Sequence, residues 1–184
     1  MRRPRSSRSR RRGQAILEFT LVGIPMIFVL ISIFEISRGM WVYHTLAYSV
    51  KEGVRYAIVH GENCTKNGNT CPTSIATIAQ KIRDAGVGLD IGNNKTSLTF
   101  KSGGVGNPPV FTDSTTCFLG GATNPCSALG ANWPAFGPNQ VGQAIEIYIV
   151  TPFNSAITLF WPGAQPITFG KFNLPASSTE RIQF

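Results

Sequence analysis

Histidine is nearly missing from this 184-residue chain. There are two, His44 and His60, and they fall in no HExxH or other metal-ligand spacing. No G-x-S-x-G elbow and no Walker phosphate loop occurs, and the glycines at 86, 88 and 92 miss the G-x-G-x-x-G spacing. The four cysteines form no Cys-x-x-Cys pair, which removes the ordinary zinc and thioredoxin patterns. Charged residues make up only 14% of the chain, and the carboxylates beyond Glu35 are scattered, with no local pair for acid–base work. These absences argue against an enzyme, and neither a cofactor nor a metal is expected.

Acid is also absent from the N-terminus. Residues 1–12 contain Arg2, Arg3, Arg5, Arg8, Arg10, Arg11 and Arg12 and no Asp or Glu. Setting those seven aside reduces a net charge of +8 to ten basic against nine acidic residues, so the remainder is close to neutral. A nucleic-acid-binding domain would carry its basic excess over a groove or a helix face. Here the excess is a terminal tag, and no nucleic-acid partner is expected.

An apolar run follows the arginines. Sixteen uncharged residues separate Glu18 from Glu35, and eleven of them are Phe, Leu, Ile or Val. At mid-bilayer values those eleven favour insertion by about 3–6 kcal/mol. With their flanks they supply the roughly 20 residues a spanning helix needs. Pro25 lies inside the run and frees the carbonyl of Leu21, a break that membrane helices tolerate where neighbouring groups satisfy it. Residues 14–38 are therefore expected to be a transmembrane helix. The arginines hold its N-terminal flank in the cytoplasm and put the rest outside a bacterial inner membrane. Trp41 and Tyr43 fall where an interfacial aromatic belt would sit. A cleaved secretory signal has the same basic-then-apolar order, but no Ala-x-Ala-like triplet follows Phe34, which favours retention of the helix.

The cysteines agree with an oxidising compartment. Four cysteines allow three connectivities, and the short separations favour Cys64–Cys71 and Cys117–Cys126, each closing a Gly/Asn-rich loop.

Glu18 is the residue that the membrane reading must explain. A carboxylate deep in a bilayer costs on the order of 2.5 kcal/mol or more, so it needs a cation or neutralisation. A cut after Gly13 would leave Gln14 with a new α-ammonium and make Glu18 the fifth mature residue, one helical turn away. The amine would then pair with Glu18 of the same chain or of a neighbour alongside. Alternatively, Glu18 marks the cytoplasmic interface and is solvated there.

These residues resemble a known pattern. A basic leader ending in Gly13, a cut before Gln14 and a glutamate at the fifth mature position resemble the class III signal of type IV pilins. The form Gly13-Gln-Ala-Ile-Leu-Glu18-Phe19 is similar to the Tad, or Flp, branch. Downstream, Ala47-Tyr-Ser-Val-Lys-Glu-Gly53-Val-Arg55-Tyr56-Ala57 resembles a stretch of TadE-like proteins, and the strong part of the likeness covers residues 13–61. The resemblance implies a minor pseudopilin of the Flp pilus machinery, matured by a membrane prepilin peptidase. Its other partners would be pilins, pseudopilins and inner-membrane pilus assembly proteins, and its role would be adhesion. It implies Gly13 before the scissile bond, Gln14 as the new N-terminus, and Glu18 with Phe19 in assembly and register. Phe19 departs from the Tyr of the major Flp pilins, and the chain is far longer than theirs, which points to the minor class.

Length fits one domain plus an anchor. Residues 1–13 read as leader and 39–61 as an external continuation of the helix. Tyr43, Leu46, Ala47, Val50, Val54, Ala57 and Ile58 make a narrow apolar stripe there. Gly53 costs about 1 kcal/mol relative to Ala in a helix, as though to let another backbone approach, and Gly61 and Asn63 end the segment. Residues 62–184 read as an α+β domain. A short helix over 73–85 is capped by Thr73 or Ser74, and strands are expected at 144–151, 97–101 and 176–183. The long and short helices would cover one face of a small antiparallel, pilin-like sheet. Residues 102–142, rich in Gly, Asn and Pro, are expected as a loop stapled at its middle, serving either as a contact surface or as a variable insertion. Phe153, Ile157, Leu159, Phe160 and Trp161 are expected to complete a small core; the alternative is that they rest on the outer membrane surface or on a partner. The competing functional reading is an uncleaved, single-pass binding protein with a disulfide-bonded periplasmic domain.

Overall fold

The computed structural model describes residues 8–61, 65–66, 69–88, 95–135, 137, 140–155 and 171–183. One helix, α1, runs unbroken over Arg8–Ile58 and so includes the last residues of the basic leader as well as Pro25. It stops three residues short of the expected end at residue 61, and the His60 N–H bonds to the Ala57 carbonyl; Asn63 lies outside the described residues. A two-residue ladder pairs β1 (Thr65–Lys66) with β2 (Asn69–Thr70). Helix α2 then covers Ile75–Ala85. Ser74 is its N-cap: extended at φ −107° and ψ 160°, it accepts the Thr77 N–H on its side chain. Thr73 is buried instead, and its carbonyl accepts the Trp133 N–H at 2.7 Å. Gly86 closes α2 by donating to the Ile82 and Arg83 carbonyls.

The main sheet has four antiparallel strands in the order β4-β3-β5-β6. They are β3 (Ser97–Gly104), β4 (Asp113–Phe118), β5 (Ala144–Asn154) and β6 (Lys171–Arg181). The fold is α+β, with two helices on one face of this sheet. Period-two alternation sets that face: Leu98 and Phe100 of β3 lie opposite Ile149 and Ile147 of β5, and Ile149 lies opposite Ala176 of β6. All five are buried against Leu46, Val50, Val54, Ala57 and Ile58 of α1 and Ile75, Ile78, Ala79 and Ile82 of α2. Tyr43, expected in the stripe, is exposed, and Ala47 is half-buried at its edge. Thr96 and Thr151 are polar residues on the buried face, and their hydroxyls bond each other at 2.7 Å. On the open face, Lys101 meets Glu146 at 2.9 Å.

All three strands read from sequence exist and run longer or begin earlier. Two prolines explain why β5 and β6 hide part of their length. Pro175 lies on the edge strand β6, where a missing N–H is tolerated; Pro152 lies beyond Val150, where β3 no longer pairs with β5.

The expectation of a loop over 102–142 is corrected. Its start is the end of β3, and its middle is β4, a sheet-edge strand, half of it Ser and Thr, that pairs with β3 from Ser97↔Phe118 to Ser102↔Asp113. The chain then makes a 3-10 turn at Cys126–Ala128 and buries Trp133, whose ring meets Phe100 edge-on at 5.2 Å. The Cys117–Cys126 disulfide is present and both residues are buried. Cys71 is also disulfide-bonded; Cys64 lies outside the described residues. Phe153 is buried as expected of a core residue, whereas Ile157, Leu159, Phe160 and Trp161 lie outside the described residues.

Candidate functional site along the N-terminal helix

The residues singled out from sequence lie on α1, in two places. Glu18 and Gly53 are 35 positions apart, about 50 Å along a helix rising 1.5 Å per residue. They act as separate sites.

The first site is the free half of α1. Ile16, Leu17, Phe19, Leu21, Val22 and Ile24 are all more than half exposed, and α1 contains an apolar stretch long enough to cross a membrane, of which nothing is buried inside the protein. Its hydroxyls are already satisfied: Thr20, Ser32 and Ser37 donate to the carbonyls of Ile16, Phe28 and Ile33 one turn back. Such back-bonding removes polar groups that hydrocarbon would penalise. Gln14 and Glu18 share one side of the helix, and the Gln14 Nε2 donates to Glu18 Oε1 at 3.3 Å. Gly13 is exposed, with open space around the position a Cβ would take.

The second site is where α1 crosses α2. A Cβ at Gly53 would lie 2.4 Å from Ile82 Cγ1, so the intimate neighbour is the α2 side chain rather than a second backbone, a correction to the sequence reading. Arg55 is exposed and pairs with Glu52 at 3.4 Å. Tyr56 is half-buried, stacks on His60 with ring centroids 4.1 Å apart, and has Lys81 Nζ 5.6 Å from its ring centre. His60 Nδ1 lies 2.7 Å from the Tyr56 carbonyl, a contact that places the proton on that nitrogen. Tyr48, Glu52, Arg55, Tyr56, Lys81 and Asp84 line an open groove of about 500 Å³. Gly53 therefore sets the helix approach, while Arg55 and Tyr56 face the groove beside it. Sequence reading missed Tyr48, Lys81 and Asp84; the spacing of residues 48, 52 and 56 on one helix face was the available signal.

Between these sites is a contact that no motif announced. Glu35 is buried and pairs with Arg38 at 3.2 Å. Arg38 also donates to the carbonyl of Asn154, the last residue of β5, and its guanidinium lies 4.5 Å from the centre of the Phe153 ring. The Glu-x-x-Arg spacing just beyond the apolar run was its only trace in the sequence. Among the described residues, no group of three His, Cys, Asp or Glu side chains is arranged to hold a metal ion.

Comparison with known families addresses the helix directly. Residues 13–55 match the family model of TadE-like proteins. The match begins at Gly13, takes in Glu18, Phe19 and the whole apolar run, and ends at Arg55, one residue before Tyr56. The TadE-like pattern thus coincides with α1 from the exposed glycine to the α2 crossing and does not extend to the sheet. Searches of curated proteins and of solved structures return no match.

Proposed function

We propose that this protein is a non-catalytic minor pseudopilin of a Tad, or Flp, pilus system. Prepilin peptidase cuts it between Gly13 and Gln14, leaving residues 14–38 as a single-pass anchor in the inner membrane. Its N-terminus is cytoplasmic, and its α+β domain is periplasmic or carried into the pilus. It takes part in assembly of pili used for adhesion, alongside pilins, other pseudopilins and inner-membrane assembly proteins. The observation that carries this reading is the coincidence of the TadE-like match with a free apolar helix whose fifth residue after Gly13 is a glutamate.

The physical role of Glu18 follows from the same helix. Packed side by side in lipid, helices gain little from the hydrophobic effect and rely on van der Waals contact and polar pairing. A new ammonium at Gln14 gives Glu18 a partner, and pairing between neighbouring chains fixes their axial offset. Phe19 then packs against the neighbouring helix.

N-terminal sequencing and intact-mass measurement of the membrane-bound protein test the reading. The expected chain begins at Gln14. Recovery of the full-length chain alone, in cells with an active prepilin peptidase, would favour an uncleaved binding protein that uses its disulfide-bonded external domain.

A further inference from the structure

The contact around Arg38 fixes where the external domain sits relative to lipid, given that α1 spans the membrane as proposed above. Residues 15–34 of α1 extend about 30 Å, the thickness of the hydrocarbon core. Glu35 then lies at the outer edge of that core, and Arg38 one short turn beyond it. At this level Arg38 holds the end of β5 through the Asn154 carbonyl and the Phe153 ring. The Phe153 ring also lies against Gly39, with Cζ 3.6 Å from the position a Cβ would take, an ordinary van der Waals contact. Phe153 in turn lies opposite Phe172 of β6, with ring centroids 5.0 Å apart. Among the described residues, the end of β5 thus meets α1 directly beyond the apolar run.

Among the described residues, several large apolar side chains at this level are exposed. Phe172 is 49% exposed and Trp41 is 53% exposed even though its ring edge packs under Gly88; Val87, next to Gly88, is 68% exposed. The Arg38 side chain is partly exposed at the same level, with its Nε buried and its Nη2 held by Glu35 and the Asn154 carbonyl. Aromatic rings beside a basic group are the side chains that partition into the headgroup region, with rings toward the acyl chains and charge toward phosphate. The 11-residue strand β5 carries the opposite pole, at Gly104, Val110 and Ala144, about 30 Å away.

We infer that the Phe172–Trp41–Val87 edge is a second membrane contact, resting in the headgroup–acyl boundary of the outer leaflet, with phospholipid as its occupant. Arg38 is the positioning residue that holds the sheet end down on it. The external domain is then oriented by the bilayer before assembly, with the 105–110 turn pointing away from the membrane.

Photocrosslinking of the full chain in vesicles of phosphatidylethanolamine and phosphatidylglycerol tests this. p-Benzoylphenylalanine is placed in turn at Phe172, at Ile27 in the middle of the apolar run and at Val110 at the far pole. Lipid adducts are expected at positions 27 and 172 and none at 110. Adducts at 27 with none at 172, or protein–protein crosslinks alone at 172, overturn the inference and leave the spanning helix intact. No adduct at 27 removes the spanning helix and the inference with it. A Phe172→Trp variant gives an independent readout: its added fluorescence should be quenched by lipids brominated near the headgroup, and lack of that quenching overturns the contact.

Discussion

Gly53 of α1 and Ile82 of α2 are so close that a methyl group in place of the glycine hydrogen would lie 2.4 Å from Ile82 Cγ1 and 2.7 Å from Cδ1. Ile82 is fully buried, so any shift it makes must be taken up within the packed core. Helix propensity alone would make Gly53→Ala stabilising by about 1 kcal/mol. Overpacking costs about 1–3 kcal/mol and should win. The expected outcome is a lower melting temperature for Gly53→Ala, measured by circular dichroism on the detergent-solubilised chain. Pairing it with Ile82→Ala, which removes both clashing atoms, should make the effects strongly non-additive. Additive losses would show that the two residues do not meet.

The Cys117–Cys126 bridge joins the end of β4 to the 3-10 turn and lies inside the core. Its separation of nine residues corresponds to about 2–3 kcal/mol of loop-closure entropy withheld from the unfolded chain. Replacing both residues by alanine should lower unfolding stability by about that amount, with the loss read from denaturant midpoints. Equal midpoints would mean that Trp133 and the β4 ladder hold this segment unaided.

Period-two alternation made β5 legible, since Ile145, Ile147 and Ile149 face one way with nothing to confuse them. α2 was legible from its cap and stripe for the same reason: local chemistry and burial agree. β4 was not. Asp113-Ser-Thr-Thr-Cys-Phe118 has almost no apolar alternation because it is an edge strand, only one of whose residues is fully buried. Its pairing is set by β3, whose ladder partners lie 11–21 residues earlier in the chain. Composition made 102–142 look loop-like, although Trp133, in the same stretch, supplies a large side chain to the core. On α1, Glu18 was visible because a charge beside an apolar run stands out. Arg38 was visible as a charge, but its partner Asn154 lies 116 residues away and only folding brings it there.

Lys101–Glu146 and Phe100–Trp133 give a contrast in magnitude on opposite faces of the sheet. The ion pair is cross-strand and partly solvated, so a double-mutant cycle with Lys101→Met and Glu146→Gln should return no more than about 1 kcal/mol. Trp133 is 5% exposed, and Trp133→Ala should cost about 3–5 kcal/mol. Urea denaturation measures both; comparable losses would place the core somewhere other than under Phe100.

On the proposed function, Glu18 separates anchoring from assembly. The sixteen uncharged residues that follow it are sufficient for insertion, so Glu18→Ala should partition into membranes as the unaltered chain does. With the chain cut after Gly13 as proposed, removing the carboxylate leaves the Gln14 ammonium without its partner between packed helices, where an unpaired buried charge costs about 3–5 kcal/mol. Every 1.4 kcal/mol is tenfold, so surface pili should fall by at least about tenfold. Glu18→Asp keeps the charge on a shorter stem and should restore part of the count, because the pairing, rather than bulk, sets the offset between helices. Electron-microscopic counts beside membrane fractionation check both effects. Normal pili from Glu18→Ala would leave the glutamate a solvated marker of the cytoplasmic interface, and helix packing would then rest on side-chain shape alone.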